Sequence, residues 1–332
     1  MPQPETPAAP DQVCESWARF VQTTLALFMV IATGLAFHYA APTRPDDLKS
    51  EIQQLRAQVQ QLRQEQAMPS MVLARYRNSI CYVYGVYAVG FPGQPPALRT
   101  RLSGTGFLIA DGLLATNKHV AQPWFGDAQA DELIQRGAVP TLEKLQVFFP
   151  GLATPIDVRP AALSSKGDLA VLRMADSRET RGLTPLPLAE TASRPGELVA
   201  VVGYPMGVAG MVAKSPNSIY ERLAYRHDDI GTANELAALS LIRPSATCGH
   251  LGDVVGDKLI YDAPTAHGGS GGPVFNSRGE VIGINSAYLD GFSGGTLGIS
   301  VEALMPLMKV ALGKRPQESP ARNEAETPAA DF

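Results

Sequence analysis

Residues 103–120 read SGTGFLIADGLLATNKHV, and this stretch decides the class of fold. Two short apolar runs, FLIA and LLAT, flank an Asp-Gly turn, which is a pattern typical of a β-hairpin. The second run ends in TNKHV, so the hairpin places His119 at the end of a strand. A rigid strand end can present a base to a cleft. A single histidine at such a position is more often structural, so its role depends on partners elsewhere in the chain.

The same strand-and-turn texture continues from about residue 70 to residue 313. Short runs rich in Val, Ile, Leu, Tyr and Phe alternate with Gly, Pro and Asp turns, as in CYVYGVYAV, ELVAVVGYP and EVIGINSAY. Many short strands at this spacing predict an all-β domain over residues 70–313, either a sandwich or barrels. Near its end, VEALMPLMKVAL has helical spacing and is expected to pack on the last barrel. The tail, residues 314–332, is poor in apolar residues and is predicted to be disordered.

Residues 266–275, AHGGSGGPVF, place Ser270 between two pairs of glycines. Glycines on both sides allow a tight, partly left-handed backbone that brings N–H groups close to an oxyanion. The run taken alone also fits a flexible polar loop. If Ser270 is a nucleophile, the backbone N–H groups of Gly268 and Ser270 are the natural oxyanion hole.

An acid to accompany the base is found in SSKGDLAVLRM, where Asp168 comes just before an apolar run. Taken alone, Asp168 reads as a turn residue before a strand. A serine hydroxyl, however, needs an imidazole to accept its proton and a buried carboxylate to fix the imidazole. The order His119, Asp168, Ser270 on an all-β chain is the chymotrypsin-type order and differs from that of subtilisin and the α/β-hydrolases. The sequence therefore predicts that these three residues are catalytic.

Five segments together resemble successive motifs of trypsin-like serine peptidases, most of all the HtrA/Deg branch. The resemblance spans roughly residues 78–312 and implies two six-stranded β-barrels with the active site between them. It implies that His119 is the general base, Asp168 its orienting acid and Ser270 the nucleophile. It also implies a peptidase domain outside the cytoplasm, periplasmic or otherwise extracytoplasmic, and a trimer formed through that domain. The segments are SGTGFLIADGLLATNKHV, GDLAVLRM, PGELVAVVGYPMG, YDAPTAHGGSGGPVFNSRGEVIGINSA and LGISV.

The sequence departs from this family at three places. The resemblance does not continue into a PDZ domain after Leu312. Gly269 stands before the nucleophile, where the HtrA branch usually has Asn and trypsin relatives have Asp. Residues 213–245 are longer than the usual connection and are expected to form a surface excursion with some helix.

Alignment on the nucleophile places the floor of the primary specificity pocket near residues 264–266. No Asp or Glu lies there, so a buried Lys or Arg of a substrate would lack a partner, and small or medium uncharged residues are expected. Residues 286–288 are expected to pair with an extended substrate as an added strand. The predicted substrate-binding residues are Thr265, Ala266, His267, Asn285, Ser286, Ala287, Tyr288 and Ile299.

The N-terminal segment, residues 1–19, is rich in Pro and Ala and is predicted to be disordered. Residues 20–41, FVQTTLALFMVIATGLAFHYAA, contain no charged side chain. As a helix they extend about 33 Å, enough for the ~30 Å core of a bilayer. An uncleaved single-pass membrane anchor is the favoured interpretation, and a signal peptide is its rival. The basic residues after the span favour the opposite orientation to the one that the family resemblance implies, and we follow the family.

Residues 45–67 carry apolar side chains at alternating spacings of four and three. This seam, with β-branched residues at a and leucines at d, predicts a parallel coiled-coil stalk and hence a dimer. A solvated spacer helix is the alternative, because fewer than about three heptads are marginal alone. The stalk dimer and the trimer implied by the family remain open alternatives. The seam consists of Leu48, Ile52, Leu55, Val59 and Leu62.

Composition narrows the range of partners. The net charge of −4 and the pI near 5.8 give no general attraction to nucleic acid, which is not an expected partner. His227 and His250 lack the spacing of a zinc site, and the predicted chemistry needs neither a metal nor a cofactor. A disulfide between Cys81 and Cys248 is left open.

Three functions follow as hypotheses. The leading one is a membrane-tethered serine endopeptidase that cleaves unfolded or signalling proteins through an acyl-enzyme. The second is a peptide-binding or chaperone-like module with weak or conditional proteolysis. The third is a coiled-coil tether in which the peptidase fold is only a scaffold.

Overall fold

The computed structural model describes residues 10–39, 45–288 and 295–313. The predicted tail, residues 314–332, lies outside the described residues, as do residues 1–9 of the N-terminal segment. The chain forms two compact units, divided between Leu62 and Arg63.

Two helices come first in the chain. Helix α1 spans Pro10–Tyr39 and therefore includes residues that the sequence predicts to be disordered. Helix α2 spans Pro45–Tyr76. Across the described ranges, no helix is both long enough and apolar enough to cross a membrane. The predicted anchor ends at residues 40 and 41, which lie outside the described residues, and it stays a prediction.

The predicted stalk, residues 45–67, is helical, and its helix α2 continues beyond residue 67. The reason is a second apolar stripe at four-residue spacing, Met68, Val72 and Tyr76, which is buried in the core of the second unit. The five seam residues between Leu48 and Leu62 are instead between 40% and 57% exposed. Pairing of this exposed seam with a second chain stays a prediction.

The first six strands form a closed antiparallel barrel in the order β1-β2-β3-β6-β5-β4. Within β1, Cys81 and Val83 point into the barrel, whereas Tyr82 and Tyr84 point outward into a second buried cluster. Both faces of this strand are therefore covered, which explains why its sequence is almost continuously apolar. The strands are β1 (Ile80–Gly90), β2 (Leu98–Ala110), β3 (Leu113–Thr116), β4 (Val139–Phe148), β5 (Ile156–Leu163) and β6 (Ala170–Met174). Two short helices interrupt them, α3 (Lys118–Ala121) and α4 (Ala128–Gln135).

The last six strands close a second antiparallel barrel in the order β10-β11-β12-β9-β8-β7. The predicted pair of six-stranded barrels is thus confirmed. Closure gives every strand of each barrel two hydrogen-bonded neighbours over at least part of its length. The strands are β7 (Leu198–Gly203), β8 (Ser245–Val255), β9 (Lys258–Tyr261), β10 (Pro273–Phe275), β11 (Val281–Tyr288) and β12 (Thr296–Ser300).

The long connection between β7 and β8 contains the helix that the sequence predicts. Three helices lie there: α5 (Gly207–Ala213), α6 (Asn217–Leu223) and α7 (Asp229–Ala238). Met211, Leu223 and Leu236 are buried in the cluster that also holds residues of both barrels. The connection is therefore packed on one side and is not only a surface excursion.

The predicted C-terminal helix is present as α8 (Met305–Gly313). It packs on β5 and β6 of the first barrel, whereas the turn that precedes it, Val301–Leu304, contacts β11 and β12, so the predicted packing on the last barrel holds only for the start of the segment. Ala311 is fully buried, and Arg173 of β6 donates a hydrogen bond to its backbone carbonyl. This guanidinium holds the carboxyl end of the helix on the first barrel.

Cys81 and Cys248 are both free thiols. Cys81 is buried inside the first barrel, whereas Cys248 is exposed on β8 of the second. The disulfide that the sequence left open is therefore not formed.

Candidate active site

The three residues predicted to be catalytic come from three different connections. His119 lies in the short helix α3 immediately after β3, and Asp168 lies just before β6. Ser270 lies in the turn between β9 and β10. The buried side chain of Asn117 donates a hydrogen bond to the backbone carbonyl of Asp168 at 2.8 Å, which ties the first two connections together.

The structure brings His119 and Asp168 into direct contact. The distance from His119 Nδ1 to Asp168 Oδ2 is 2.7 Å, and the backbone N–H of His119 donates to Oδ1 at 2.9 Å. Ser286, on β11, donates its hydroxyl to the same Oδ2 at 2.7 Å. The carboxylate is thus held by three donors. It also fixes the tautomer of His119 in which Nδ1 carries the proton.

These contacts shift the titration of Asp168. Burial raises the pKa of its carboxyl, but hydrogen bonds from the His119 ring, from Ser286 and from the His119 backbone lower it more. The net result is a pKa below the ordinary value, so Asp168 is ionised at neutral pH. A fixed carboxylate beside the imidazole stabilises the imidazolium that forms when His119 accepts a proton.

Ser270 and His119 line the same open cleft, with a volume of about 620 Å³. The backbone carbonyl of Ser270 accepts a hydrogen bond from the Thr105 N–H at 2.8 Å. This bond joins the turn that carries Ser270, residues 267–272 and hereafter the serine turn, to β2. The Ser270 hydroxyl donates to the backbone carbonyl of Ser286 at 3.0 Å. Among the described residues the hydroxyl forms this hydrogen bond and none to His119.

The serine turn is fixed through its carbonyl groups. The carbonyl of His267 accepts from the Met206 N–H at 2.6 Å. The carbonyl of Gly269 accepts from the side-chain amide of Asn285 at 2.9 Å and from the Gly272 N–H at 3.1 Å. In a trans peptide the N–H points opposite to the carbonyl. The N–H groups of Gly268 and Ser270 belong to the same two peptides. They therefore point away from the groups that donate hydrogen bonds to these carbonyls.

Neither of these two N–H groups donates to another protein atom among the described residues, whereas the intervening Gly269 N–H donates to Ala266 at 2.9 Å. Gly268 has φ +90, and a Cβ added to it would lie 2.5 Å from the Tyr204 carbonyl oxygen. Only glycine fits there without strain. Two uncommitted N–H groups on one fixed turn are the arrangement that an oxyanion needs.

Thr105 is a site residue that the sequence analysis missed. Its buried hydroxyl donates to the Gly268 carbonyl at 2.7 Å and accepts from the Tyr204 N–H at 3.1 Å. It therefore connects β2 of the first barrel to the serine turn of the second. The threonine between two glycines in SGTGF was the feature of the sequence that could have indicated this role. A buried threonine hydroxyl needs a hydrogen-bond partner.

The predicted substrate-binding residues lie in different environments in the structure. Asn285 is 1% exposed, and its side chain is bonded to Gly269, Thr265 and Tyr261. His267 lines the cleft beside Ser270. Ile299 pairs with Ile284 across β12 and β11. Two further predicted residues, Ala287 and Tyr288, belong to β11, and their side chains lie outside the described residues.

The described part of the chain contains no group of three or more His, Cys, Asp or Glu residues placed to hold a metal ion. The polar groups at the cleft described above are an imidazole, a carboxylate, a hydroxyl and backbone N–H donors.

Comparison with known proteins shows the family of this chain. The family described as trypsin-like peptidase domain matches residues 104–284, more than half of the chain. A probable periplasmic serine endoprotease DegP-like from Rhizobium meliloti (strain 1021) is 32% identical over 205 residues, covering 61% of this chain and 31% of its own. Serine protease PepD from Mycobacterium tuberculosis is 30% identical over 188 residues, covering 55% of this chain and 33% of its own.

Among solved structures, a serine endoprotease from Yersinia pestis matches with 18% sequence identity and a TM-score of 0.47, covering 74% of this chain and 66% of that one. The chain spans about a third of the length of the curated relatives that it matches. The family match over residues 104–284, which include strands of both barrels, shows that this chain belongs to the trypsin-like peptidase domain family.

Proposed function

We propose that this protein is a serine endopeptidase in which Ser270 is the nucleophile, His119 the general base and Asp168 the orienting acid. The observation that carries the proposal is the 2.7 Å contact between His119 Nδ1 and an ionised Asp168, with His119 and Ser270 facing one cleft. This arrangement leaves the other ring nitrogen of His119 free to accept a proton.

The reaction begins when the Ser270 hydroxyl turns toward His119 and attacks the carbonyl carbon of a peptide bond. His119 accepts the hydroxyl proton, and the carbonyl oxygen becomes an oxyanion. This oxyanion accepts hydrogen bonds from the N–H groups of Gly268 and Ser270. The peptide C–N bond then breaks, and His119 donates its proton to the leaving amine. An ester joins Ser270 to the acyl part until water, deprotonated by His119, hydrolyses it.

The substrate is a polypeptide in extended form that runs along β11 at residues 286–288. Turning of the Ser270 hydroxyl frees the backbone carbonyl of Ser286, which can then accept a substrate N–H. A small or medium uncharged residue enters the primary pocket, because the Thr265 and Asn285 groups near its floor already bond to each other at 3.2 Å. The relatives are named serine proteases or endoproteases, which supports a protein substrate.

Incubation of the full chain with dye-labelled unfolded casein tests the proposal. The parent is expected to release soluble peptides, and Ser270→Ala to be slower by more than about 10³-fold. A fluorophosphonate should label the parent and leave Ser270→Ala unlabelled, because only an activated serine forms the adduct. A folded parent that neither cleaves casein nor becomes labelled would contradict the proposal.

A peptide-binding module is the second candidate, and the hydrogen bond from the Ser270 hydroxyl to Ser286 favours it. A hydroxyl held there does not face its base. Casein binding of equal affinity by the parent and by Ser270→Ala, without cleavage by either, would select this candidate.

Membrane tethering through residues 20–41 is also part of the proposal. The segment has no charged side chain, and the apolar side chains that the structure describes there, such as Leu27, Phe28 and Val30, are exposed. The relative from Rhizobium meliloti is named a periplasmic endoprotease, which supports an extracytoplasmic peptidase domain. The full chain is expected in the membrane fraction after alkaline carbonate washing, whereas a chain beginning at residue 45 should be released.

Self-association through the stalk follows from the exposed seam between Leu48 and Leu62. In a parallel pair the seam is buried, and Glu51 of one chain lies near Arg56 of the other. We expect the detergent-solubilised full chain to be cross-linked as a dimer and Leu55→Asp to be cross-linked less. A trimer unaffected by Leu55→Asp would favour assembly through the peptidase domain.

A further inference from the structure

We propose that Asn285 is a positioning residue for the oxyanion hole: its side-chain amide holds the Gly269 carbonyl, and thereby directs the Ser270 N–H toward the cleft. The inference rests on the proposed function and assigns a task within it. It also revises the role of Asn285, which sequence alignment places among the substrate-binding residues.

The orientation of the Asn285 amide is determined by its neighbours. The carbonyl oxygen of Gly269 can only accept, so the atom facing it at 2.9 Å must be the amide nitrogen. The other end of the amide then accepts the phenolic hydroxyl of Tyr261 at 2.7 Å. The same nitrogen lies 3.2 Å from the Thr265 hydroxyl oxygen. Both N–H donors and the carbonyl oxygen are thus used inside the protein.

Because its side-chain amide is fully hydrogen-bonded within the protein, Asn285 is not placed to bind the substrate. Asn285 is 1% exposed, and Tyr261 beneath it is fully buried. A side chain whose donors and acceptor are already bonded inside the protein has little capacity left to recognise a substrate group. Its contacts instead lead back to the serine turn.

The backbone of Asn285 holds the same turn a second time. Its N–H donates to the Gly272 carbonyl and its carbonyl accepts from the Gly271 N–H, both at 2.8 Å. Side chain and backbone together therefore fix residues 269–272 to β11. The peptide between Gly269 and Ser270 is gripped through its carbonyl, which leaves its N–H pointing the other way.

The absence of a side chain at residue 269 explains why the neighbouring strand supplies this bond. A Cβ on Gly269 would lie 2.4 Å from the Thr265 hydroxyl oxygen and 3.4 Å from the Asn285 amide nitrogen. The space beside the peptide is already filled by these two groups. The turn is held from β11 rather than by a side chain of its own.

The test uses Asn285→Leu, which has a similar shape but cannot donate to Gly269. Its matched control is Tyr261→Phe, which removes a buried hydrogen bond from the same cluster and leaves the Asn285 donors in place. The double variant Asn285→Leu/Tyr261→Phe avoids an unpaired Tyr261 hydroxyl, and it keeps the test valid if the single leucine variant folds poorly. Thermal unfolding of each full-length variant is recorded first.

Casein cleavage over a range of concentrations then separates kcat from KM. Loss of an oxyanion donor costs about 10²–10³-fold in rate, so a misdirected donor should lower kcat by about 10- to 100-fold. We expect both variants with Leu at residue 285 to show this loss with KM within about threefold of the parent, and Tyr261→Phe to keep kcat within about fivefold. Fluorophosphonate labelling should slow in parallel with kcat.

Binding of casein to these variants in a Ser270→Ala background should be unchanged, because positioning of the oxyanion donors affects the transition state and not the bound substrate. Equal kcat in parent and Asn285→Leu would overturn the inference while leaving the proposed function intact. An equal loss in Tyr261→Phe, or a loss confined to KM, would also overturn it. A parent that is itself inactive and unlabelled would overturn the proposed function, and this inference with it.

Discussion

The ring of Tyr76, the last residue of α2, lies stacked on the ring of Phe275 in β10. The ring centroids are 5.6 Å apart and the planes differ by 8°. Tyr76 is 3% exposed and Phe275 is fully buried. Since Phe275 is five residues beyond Ser270, the end of the stalk helix packs directly on the strand that carries the serine turn into the second barrel.

Truncation of this ring is expected to destabilise the domain. Tyr76→Ala should lower the free energy of unfolding by about 3–5 kcal/mol, as for other large aromatic residues removed from cores. Tyr76→Phe keeps the stack and should stay within about 1 kcal/mol of the parent. Urea unfolding of the two variants and the parent measures the difference. A Tyr76→Ala variant as stable as Tyr76→Phe would mean that the helix end is not part of the cooperative core.

Acid should remove a contribution that Asp168 makes to stability. Its pKa is lower in the folded chain than in the unfolded chain, so the fold favours the ionised form. This contribution is fully present above the unfolded value of about 4 and is lost as the pH falls through the folded pKa. The difference in free energy of unfolding between the parent and Asp168→Asn should therefore shrink between pH 6 and pH 3. A difference independent of pH over that range would contradict the assignment.

Local patterns were sufficient to predict the strands and the site residues near them. Short apolar runs bounded by turns predict β1 and β11, and strand ends or glycine turns predict the places of His119, Asp168 and Ser270. These features depend on residues close in sequence, where strand periodicity and turn chemistry act. Their order on an all-β chain, with the family resemblance, was enough to predict two barrels.

Local sequence patterns did not predict contacts between residues that lie far apart in the chain. Thr105 bonds to Gly268, 163 residues away, and nothing around SGTGF specifies that partner. The helix at VEALMPLMKVAL was predicted, but its apolar side does not reveal that Arg173 of the first barrel will hold its end. Likewise the predicted stalk ends at residue 67, whereas burial of Met68 and Val72 carries α2 past Pro69. Tertiary packing decided each of these cases.

The two thiols of the barrels should differ sharply in reactivity. Burial raises the pKa of Cys81, and its thiol donates to the Gly106 carbonyl at 3.4 Å. Cys248 is exposed. In a Cys14→Ser background, an aromatic disulfide reagent should modify Cys248 within minutes and Cys81 only on unfolding, because the thiolate is the reactive form. Rapid modification of both thiols in the folded protein would contradict the buried position of Cys81.

A methyl group added to Gly269 should disturb the serine turn through Thr265. The new Cβ would lie 2.4 Å from the Thr265 hydroxyl oxygen and 3.1 Å from the Ala266 carbonyl oxygen. Overpacking of this kind costs about 1–3 kcal/mol, so Gly269→Ala should lower kcat/KM for casein by about tenfold or more. Thr265→Ala removes the hydroxyl, and in that background Gly269→Ala should cost less. Thr265→Val keeps the crowding and serves as the matched control, so the second substitution should cost as much there as in the parent. An equal cost of Gly269→Ala in all three backgrounds would show that Thr265 is not the group it meets.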